Sequence, residues 1–240
     1  MNLRFAIVLL LLLPVFSDSA AQEETPKTEE ETKVKIPEVR QNIKADFKLP
    51  TPTGNPSFVK TVNGIADLSI SYNYPVLRYF TLGGGFKFTY MQINDFKTNV
   101  KTNANIKTYT PFVRLGFEKF TRPKFFYGIH LKGGYTSMSF FSNICDSLYG
   151  EKGGPKDKGL YLEPEFSFYL LGSDNLAFGI LFSYDLVFAE YGPDNVCLPN
   201  FSGLTADDSK GIYQYLSIGF GFSVSISDER KKRNRETIYW

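Results

Sequence analysis

Histidine and tryptophan each occur once in this 240-residue chain, and cysteine twice. With a single imidazole, any histidine-dependent acid–base or nucleophilic mechanism rests on His130 alone. Charge of one sign is not in excess: 27 Lys and Arg face 25 Asp and Glu, a net charge of +2. No basic block lies inside the body of the chain, so nucleic acid is not an implied partner. Beyond the N-terminus no apolar run approaches the roughly 20 residues of a membrane-spanning helix. Glycine (20) and proline (13) are near ordinary usage, which excludes collagen-like and low-complexity chains. Aromatic residues are abundant instead, at 16%, with 23 Phe and 15 Tyr.

The N-terminus carries an export pattern. Arg4 supplies a positive charge, Phe5 to Phe16 is apolar apart from Pro14, and Ser19-Ala20-Ala21 offers small residues for cleavage. Residues 1–21 therefore read as a signal peptide with Gln22 as the mature start, the run being too short for a membrane anchor. Residues 22–41 are rich in Glu, Lys and Thr without apolar periodicity, and are expected to form a flexible acidic linker. Residues 228–240 begin Asp-Glu-Arg-Lys-Lys-Arg and are expected to be a charged tail.

Between these extensions, over 42–227, the apolar pattern has period two. Phe80, Leu82, Gly84, Phe86, Phe88 and Tyr90 alternate with Thr81, Gly83, Gly85, Lys87 and Thr89. Leu160, Leu162, Pro164, Phe166 and Phe168 alternate with Tyr161, Glu163, Glu165 and Ser167. Similar runs cover Ala66–Tyr74, Tyr109–Phe117, Phe125–Lys132, Leu176–Leu186 and Leu216–Ser225, with a weaker one at Ala45–Leu49. That makes about eight strands, and no segment shows a convincing helical stripe. Short connections (Pro75–Arg78, Glu118–Lys124, Gly172–Asn175) alternate with long ones (Pro52–Asn63, Asn94–Lys107, Ser139–Lys158, Ala189–Lys210). Strict short–long alternation is the signature of an up-and-down antiparallel barrel.

Alternation alone leaves open which face is outside. A soluble, lipocalin-like barrel would bury the Phe/Leu/Ile face, whereas a transmembrane barrel would turn it to lipid. Side-chain size favours the membrane: the polar face is mostly Gly, Ser and Thr, as at Gly219, Gly221, Ser223 and Ser225, which suits a cramped eight-stranded interior. A water-exposed surface carries denser charge. Aromatic residues also crowd strand ends, at Tyr72, Tyr74, Tyr79 and Phe80, and at Phe117, Phe120, Phe125 and Tyr127, as interfacial girdles do.

With its export signal, alternating strands, short turns, long loops and the final-strand run Gly219-Phe220-Gly221-Phe222, the chain resembles small outer-membrane β-barrel proteins of the eight-stranded OmpA/OmpX type. The Ala-Gln mature start and the stretch from Leu49-Pro50-Thr51-Pro52 are similar to barrels of Bacteroidetes-type bacteria. The resemblance implies outer-membrane localisation and contact with outer-membrane lipid. It departs from the pattern twice: nothing like a peptidoglycan-binding domain follows the barrel, and Trp240 is separated from the last strand by a charged segment, leaving either Trp240 or Phe222 as insertion signal.

Cys145 and Cys197 fall in long connections at the same, cell-exterior end, where an oxidising compartment favours a disulfide; two unpaired thiols are the alternative. The loops carry no histidine that would make a metal site. Asp46, Asp67, Glu163, Glu165 and Asp185 point inward together with Lys48, Lys87, Arg114 and Lys132. An eight-stranded interior has room only for side chains, so these charges are expected to form a cross-lumen ion-pair network with Arg114 as its hub. Glu163 and Glu165 share a face, as a paired-carboxylate mechanism requires, but salt-bridge partners are the simpler account. Asn200-Phe201-Ser202 fits a glycosylation acceptor, a match with little meaning in a bacterial setting.

The expected function is structural or interactive, without enzymatic activity or cofactor. Such a barrel would have a lumen closed by ion pairs, serve as an accessory subunit of an envelope complex, and meet a protein partner through its loops or basic tail. The alternatives are a narrow solute pore, a lipid-modifying enzyme built on His130 and, weakest, a soluble carrier.

Overall fold

In the computed structural model the described residues are 37–95, 101, 103–149, 155–198, 204 and 211–226. The signal peptide, most of the linker, the tail, Asn200-Phe201-Ser202 and Trp240 lie outside them. Eight antiparallel strands close into one barrel in chain order. They are β1 (Asn42–Gly54), β2 (Val62–Pro75), β3 (Phe80–Ile93), β4 (Asn105–Arg122), β5 (Phe125–Phe141), β6 (Lys156–Leu171), β7 (Leu176–Glu190) and β8 (Ile212–Ser225). Closure is a full antiparallel ladder between β1 and β8, from Asn42↔Ser225 to Gly54↔Tyr213, so neither strand presents an open edge.

The side chains are turned inside out relative to a soluble protein over most of the barrel. Leu68, Ile70, Leu82, Phe86, Val113, Leu115, Ile129, Leu131, Phe178, Ile180, Phe220 and Phe222 are exposed on the outer wall. Lys44, Lys48, Asp67, Lys87, Arg114, Lys132, Glu163 and Asp185 are inside at 0% exposure. An apolar wall of this extent in water would forgo about 25 cal/mol for every Å² left uncovered, so the outer face requires an apolar surrounding.

The strands outrun the reading at several ends. β4 continues through Arg122, so the second short connection is a two-residue turn at Pro123 and Lys124, and Glu118 belongs to the strand rather than to the connection. The ladder shifts register just before that turn, between Phe120 and Arg122. At 18 residues β4 rises about 40 Å at a 45° tilt, well beyond the roughly 25 Å apolar band of such barrels. The helices α1 (Pro56–Thr61) and α2 (Asn143–Tyr149) lie in long connections and were announced by no apolar stripe. They are too short, at 6 and 7 residues, to show a period of 3.6. The Asn55 side chain caps α1 by accepting from the amides of Ser57 (2.9 Å) and Phe58 (3.3 Å), and Pro56 suits its first turn. A 3-10 turn (Pro193–Val196) follows β7. Cys197 follows it directly and is bonded to Cys145 of α2, so two long connections are covalently joined.

Candidate functional site: the filled lumen

The interior is stacked in three zones along the barrel axis. At the turn end Phe126, Tyr169, Ala177 and Leu181 form a small apolar cluster, with the Phe126 and Tyr169 rings stacked 4.9 Å apart. Tyr169 fits because Gly221 faces it: a Cβ there would lie 2.7 Å from the phenol oxygen. Lys44 lies over the Tyr169 ring, 4.7 Å from its centroid, and pairs with Glu118 at 2.7 Å.

The middle zone holds the charges. Lys87 sits where three carboxylates converge: Asp67 at 2.8 Å, Glu163 at 3.1 Å and Asp185 in close contact. Lys48 contacts Glu163 closely, Glu165 at 3.5 Å and Asp67 at 3.8 Å, and donates to Ser183 at 2.8 Å. Lys132 reaches Glu165 at 2.6 Å, Glu163 at 3.2 Å and Asp46 at 3.7 Å. Tyr161 closes the group, with its hydroxyl against Glu163 and 2.7 Å from Asp185 Oδ1. All nine charged residues singled out from the sequence thus lie in one contiguous set of contacts. Alternation brings them there: each occupies an inward position of its strand, and the barrel radius is short enough for lysine stems to cross.

Two features differ from expectation. Arg114 is not the hub, since its guanidinium reaches one carboxylate, Glu165 at 2.9 Å, and otherwise Ser71 at 3.1 Å. The lysines share more partners because a flexible stem ending in a compact ammonium can settle among three carboxylates, where a planar fork fits two at most. The set is also larger than its sequence outline, for Lys44, Glu118 and His130 extend it toward the turn end. His130 Nε2 lies 3.1 Å from Glu118 and Nδ1 lies 3.6 Å from Glu165. Its ring fits between Gly116 and Gly128, where a Cβ would come within 2.5 Å and 2.4 Å of ring carbons. Lys44 continues the alternation of Asp46 and Lys48 by one step and Glu118 that of Arg114 and Gly116, a parity hidden by the reading of 118–124 as a connection.

At the loop end the interior turns apolar. Val62, Met91, Ile93, Ile106, Met138, Phe140, Val187, Tyr213 and Tyr215 project inward from six strands, and Phe58 of α1 drops among them. Phe58 meets Tyr191 and Tyr213 edge-to-face at 5.4 and 5.2 Å. Val196 and Leu198, beside the disulfide, complete the cluster. Many outward neighbours on the same strand ends are polar, among them Asn63, Gln92, Asn105, Lys107, Ser137, Ser139, Lys156, Lys158 and Gln214, with Phe141 and Phe188 as apolar exceptions. Among the described residues no group of three His, Cys, Asp or Glu side chains is arranged to hold a metal ion.

Solved structures with the same architecture exist. Neisserial surface protein A is similar over 79% of this chain and 99% of its own, at 10% identity and a TM-score of 0.53. This is the fold of small outer-membrane β-barrels. OprG, an outer membrane protein from Pseudomonas aeruginosa, covers 79% of this chain and 98% of its own at 13% identity, with a TM-score of 0.49. Ail, the attachment invasion locus protein of Yersinia pestis, covers 77% and 97% at 11% identity, with a TM-score of 0.41. No protein-family model and no curated protein sequence matches the chain. At such identities the likeness is one of fold alone.

Proposed function

We propose that the protein is an outer-membrane anchor with a closed lumen, whose working surface is the disulfide-braced loop end. In this reading residues 1–21 direct export, 22–41 are a flexible leader, 42–227 span the membrane and 228–240 are a periplasmic tail. The protein is not an enzyme. Its partner is another envelope protein, met through the loops or the basic tail, and it serves as an accessory subunit of a secretion or assembly complex.

The observation that carries the closed lumen is the shared set of contacts around Glu163, which meets Lys48, Lys87 and Lys132 at once. Charges in a wide hydrated channel need no such mutual contact, whereas charges removed from water must be paired to persist. Apolar clusters lie above and below this layer, which supports closure. His130 packs as a spacer held by Glu118, which supports a structural role over a catalytic one.

Planar-bilayer recording of the purified chain tests closure, with no steady conductance expected. A reproducible channel of porin size overturns it in favour of transport. Heat-modifiable gel migration and recovery in the outer-membrane fraction test location, and recovery in the soluble periplasm overturns it. Affinity purification from detergent-solubilised membranes tests the partner: a stoichiometric envelope protein supports an accessory subunit, and a lone barrel overturns it.

A further inference from the structure

Every lysine inside the barrel is matched by a carboxylate, whereas lysines on the outer wall are not, and three of these lie together at the loop end. Lys107 of β4 and Lys156 and Lys158 of β6 form no ion pair with any described residue. The register gathers them. Tyr90, Lys107, Ser139 and Lys156 lie in one cross-strand row over β3 to β6, and Phe88, Tyr109, Ser137 and Lys158 form the row beneath. Three ammonium groups and two hydroxyls therefore share one patch of wall, with the serines of β5 between the lysine strands. Two strand spacings, about 10 Å, separate the β4 and β6 stems, a gap that flexible lysine side chains can close around one small anion. Phe141 supports the Lys107 stem, with Nζ 4.8 Å from its ring. Glu190 ends β7 two residues beyond Phe188, the partner of Leu160, and so stands on the flank of Lys158 away from Lys107.

The height of this patch on the wall decides what it meets. In the row below, Tyr135 pairs with Leu160 and Leu160 with Phe188, and all three are about half exposed or more. Tyrosine above a run of Leu, Ile and Phe marks the edge of an apolar band, where the ring spans the boundary between acyl chains and headgroups. The lysines thus stand at headgroup depth on the loop side. An ammonium there gains from anionic lipid, and its stem can snorkel along the apolar wall.

We propose that the β4–β6 face is a binding site for the phosphate of an anionic lipid in the loop-side leaflet, taken by Lys107, Lys156 and Lys158 with Ser137 and Ser139 as hydroxyl donors. The acyl chains of that lipid lie on Tyr109, Tyr135 and Leu160. The inference rests on the membrane reading above and adds a ligand class and a face to it.

The test uses the full chain inserted into phosphatidylcholine vesicles doped with phosphatidic acid, released gently and weighed by native mass spectrometry. The wild type is expected to retain phosphatidic acid in preference to phosphatidylcholine. K107Q/K156Q/K158Q should retain it about tenfold less or lower, while its heat-modifiable migration is unchanged. The single reversal K158E, with two lysines left, should give a smaller loss in the same direction. Equal retention by wild type and triple variant overturns the proposal while leaving the membrane reading intact. Displacement of the lipid by millimolar inorganic phosphate overturns the lipid source in favour of a soluble anion. A chain that does not enter the vesicles at all overturns both readings.

Discussion

Strand β4 obeys opposite rules in its two halves. From Tyr109 to Phe117 its outward residues are apolar and its inward residues include Thr110 and Arg114. From Asn105 to Lys107 the outward residues are polar and the inward one, Ile106, is buried at 1% exposure. The same inversion occurs in β5, where Ile129 and Leu131 face out around His130, while Met138 and Phe140 face in beside Ser137 and Ser139. A single barrel therefore contains a belt built for lipid and a collar built like a water-soluble core. The reason is solvent. Where the outside is hydrocarbon, burying polar groups inside against one another is the favourable choice. Where the outside is hydrated, from the headgroup level outward, the hydrophobic effect again drives apolar groups inward. The inward position is constant along the strand, and only the surrounding medium decides what occupies it.

The comparison can be broken most forcefully in the belt interior. Glu163→Leu removes the one carboxylate that touches three lysines. Breaking a buried pair costs about 3–5 kcal/mol, so the variant should show a greatly lowered unfolding temperature in detergent or fail to fold. Arg114→Leu should cost less than Glu163→Leu, because Glu165 keeps Lys132 and Lys48. An equal or larger loss for Arg114→Leu would restore the arginine as the centre of the network.

In the collar, Cys145→Ser with Cys197→Ser opens a crosslink spanning 52 residues. The expected loss is about 2–4 kcal/mol. It should appear as protease sensitivity of the β5–β6 and β7–β8 connections, with heat-modifiable migration of the barrel retained. Loss of the folded band altogether would show that collar and belt are one cooperative unit.

The smallest and most diagnostic effect compares one methylene in each region. Ile93→Val leaves a void in the collar core and should cost about 0.5–1.5 kcal/mol. Ile218→Val on the outer wall should cost less in a bilayer, since lipid chains fill the gap. Equal losses in chemical denaturation from vesicles would contradict the assignment of these two positions to different media.

The belt was the more legible region. Lys87 alternates with Gly85 and Thr89, Glu163 with Tyr161 and Glu165, and each residue's face follows from parity alone because a strand has only two sides. The collar was hidden by the same rule. Met91 and Ile93 continue the polar parity of Lys87 and Thr89, so the change from polar to apolar occupants looks like the end of the pattern rather than its inversion. Pro52 to Asn63 read as a connection for that reason, although β1 continues to Gly54, α1 covers Pro56–Thr61 and β2 begins at Val62. Phe58 entered no pattern at all, because a single helical side chain dropping into a barrel mouth leaves no periodic trace. Glu118 was assigned to a turn because Lys119, Phe120 and Thr121 obscure the alternation just before the register shift near Arg122.

By itself the sequence determined strand number, the alternation of short and long connections, and which residues share a face, since these are local consequences of a two-residue period and of turn chemistry. Cys145 and Cys197 were placed at one end by that same topology, which is why their pairing could be anticipated. Partner choice inside the barrel was decided only in three dimensions. Strands far apart in the chain meet across the lumen, as Lys48 meets Glu163 over 115 residues, and no local pattern encodes which ammonium reaches which carboxylate. Stem length, barrel radius and the stagger of the closed ladder settle that together, and they exist only once β1 has met β8.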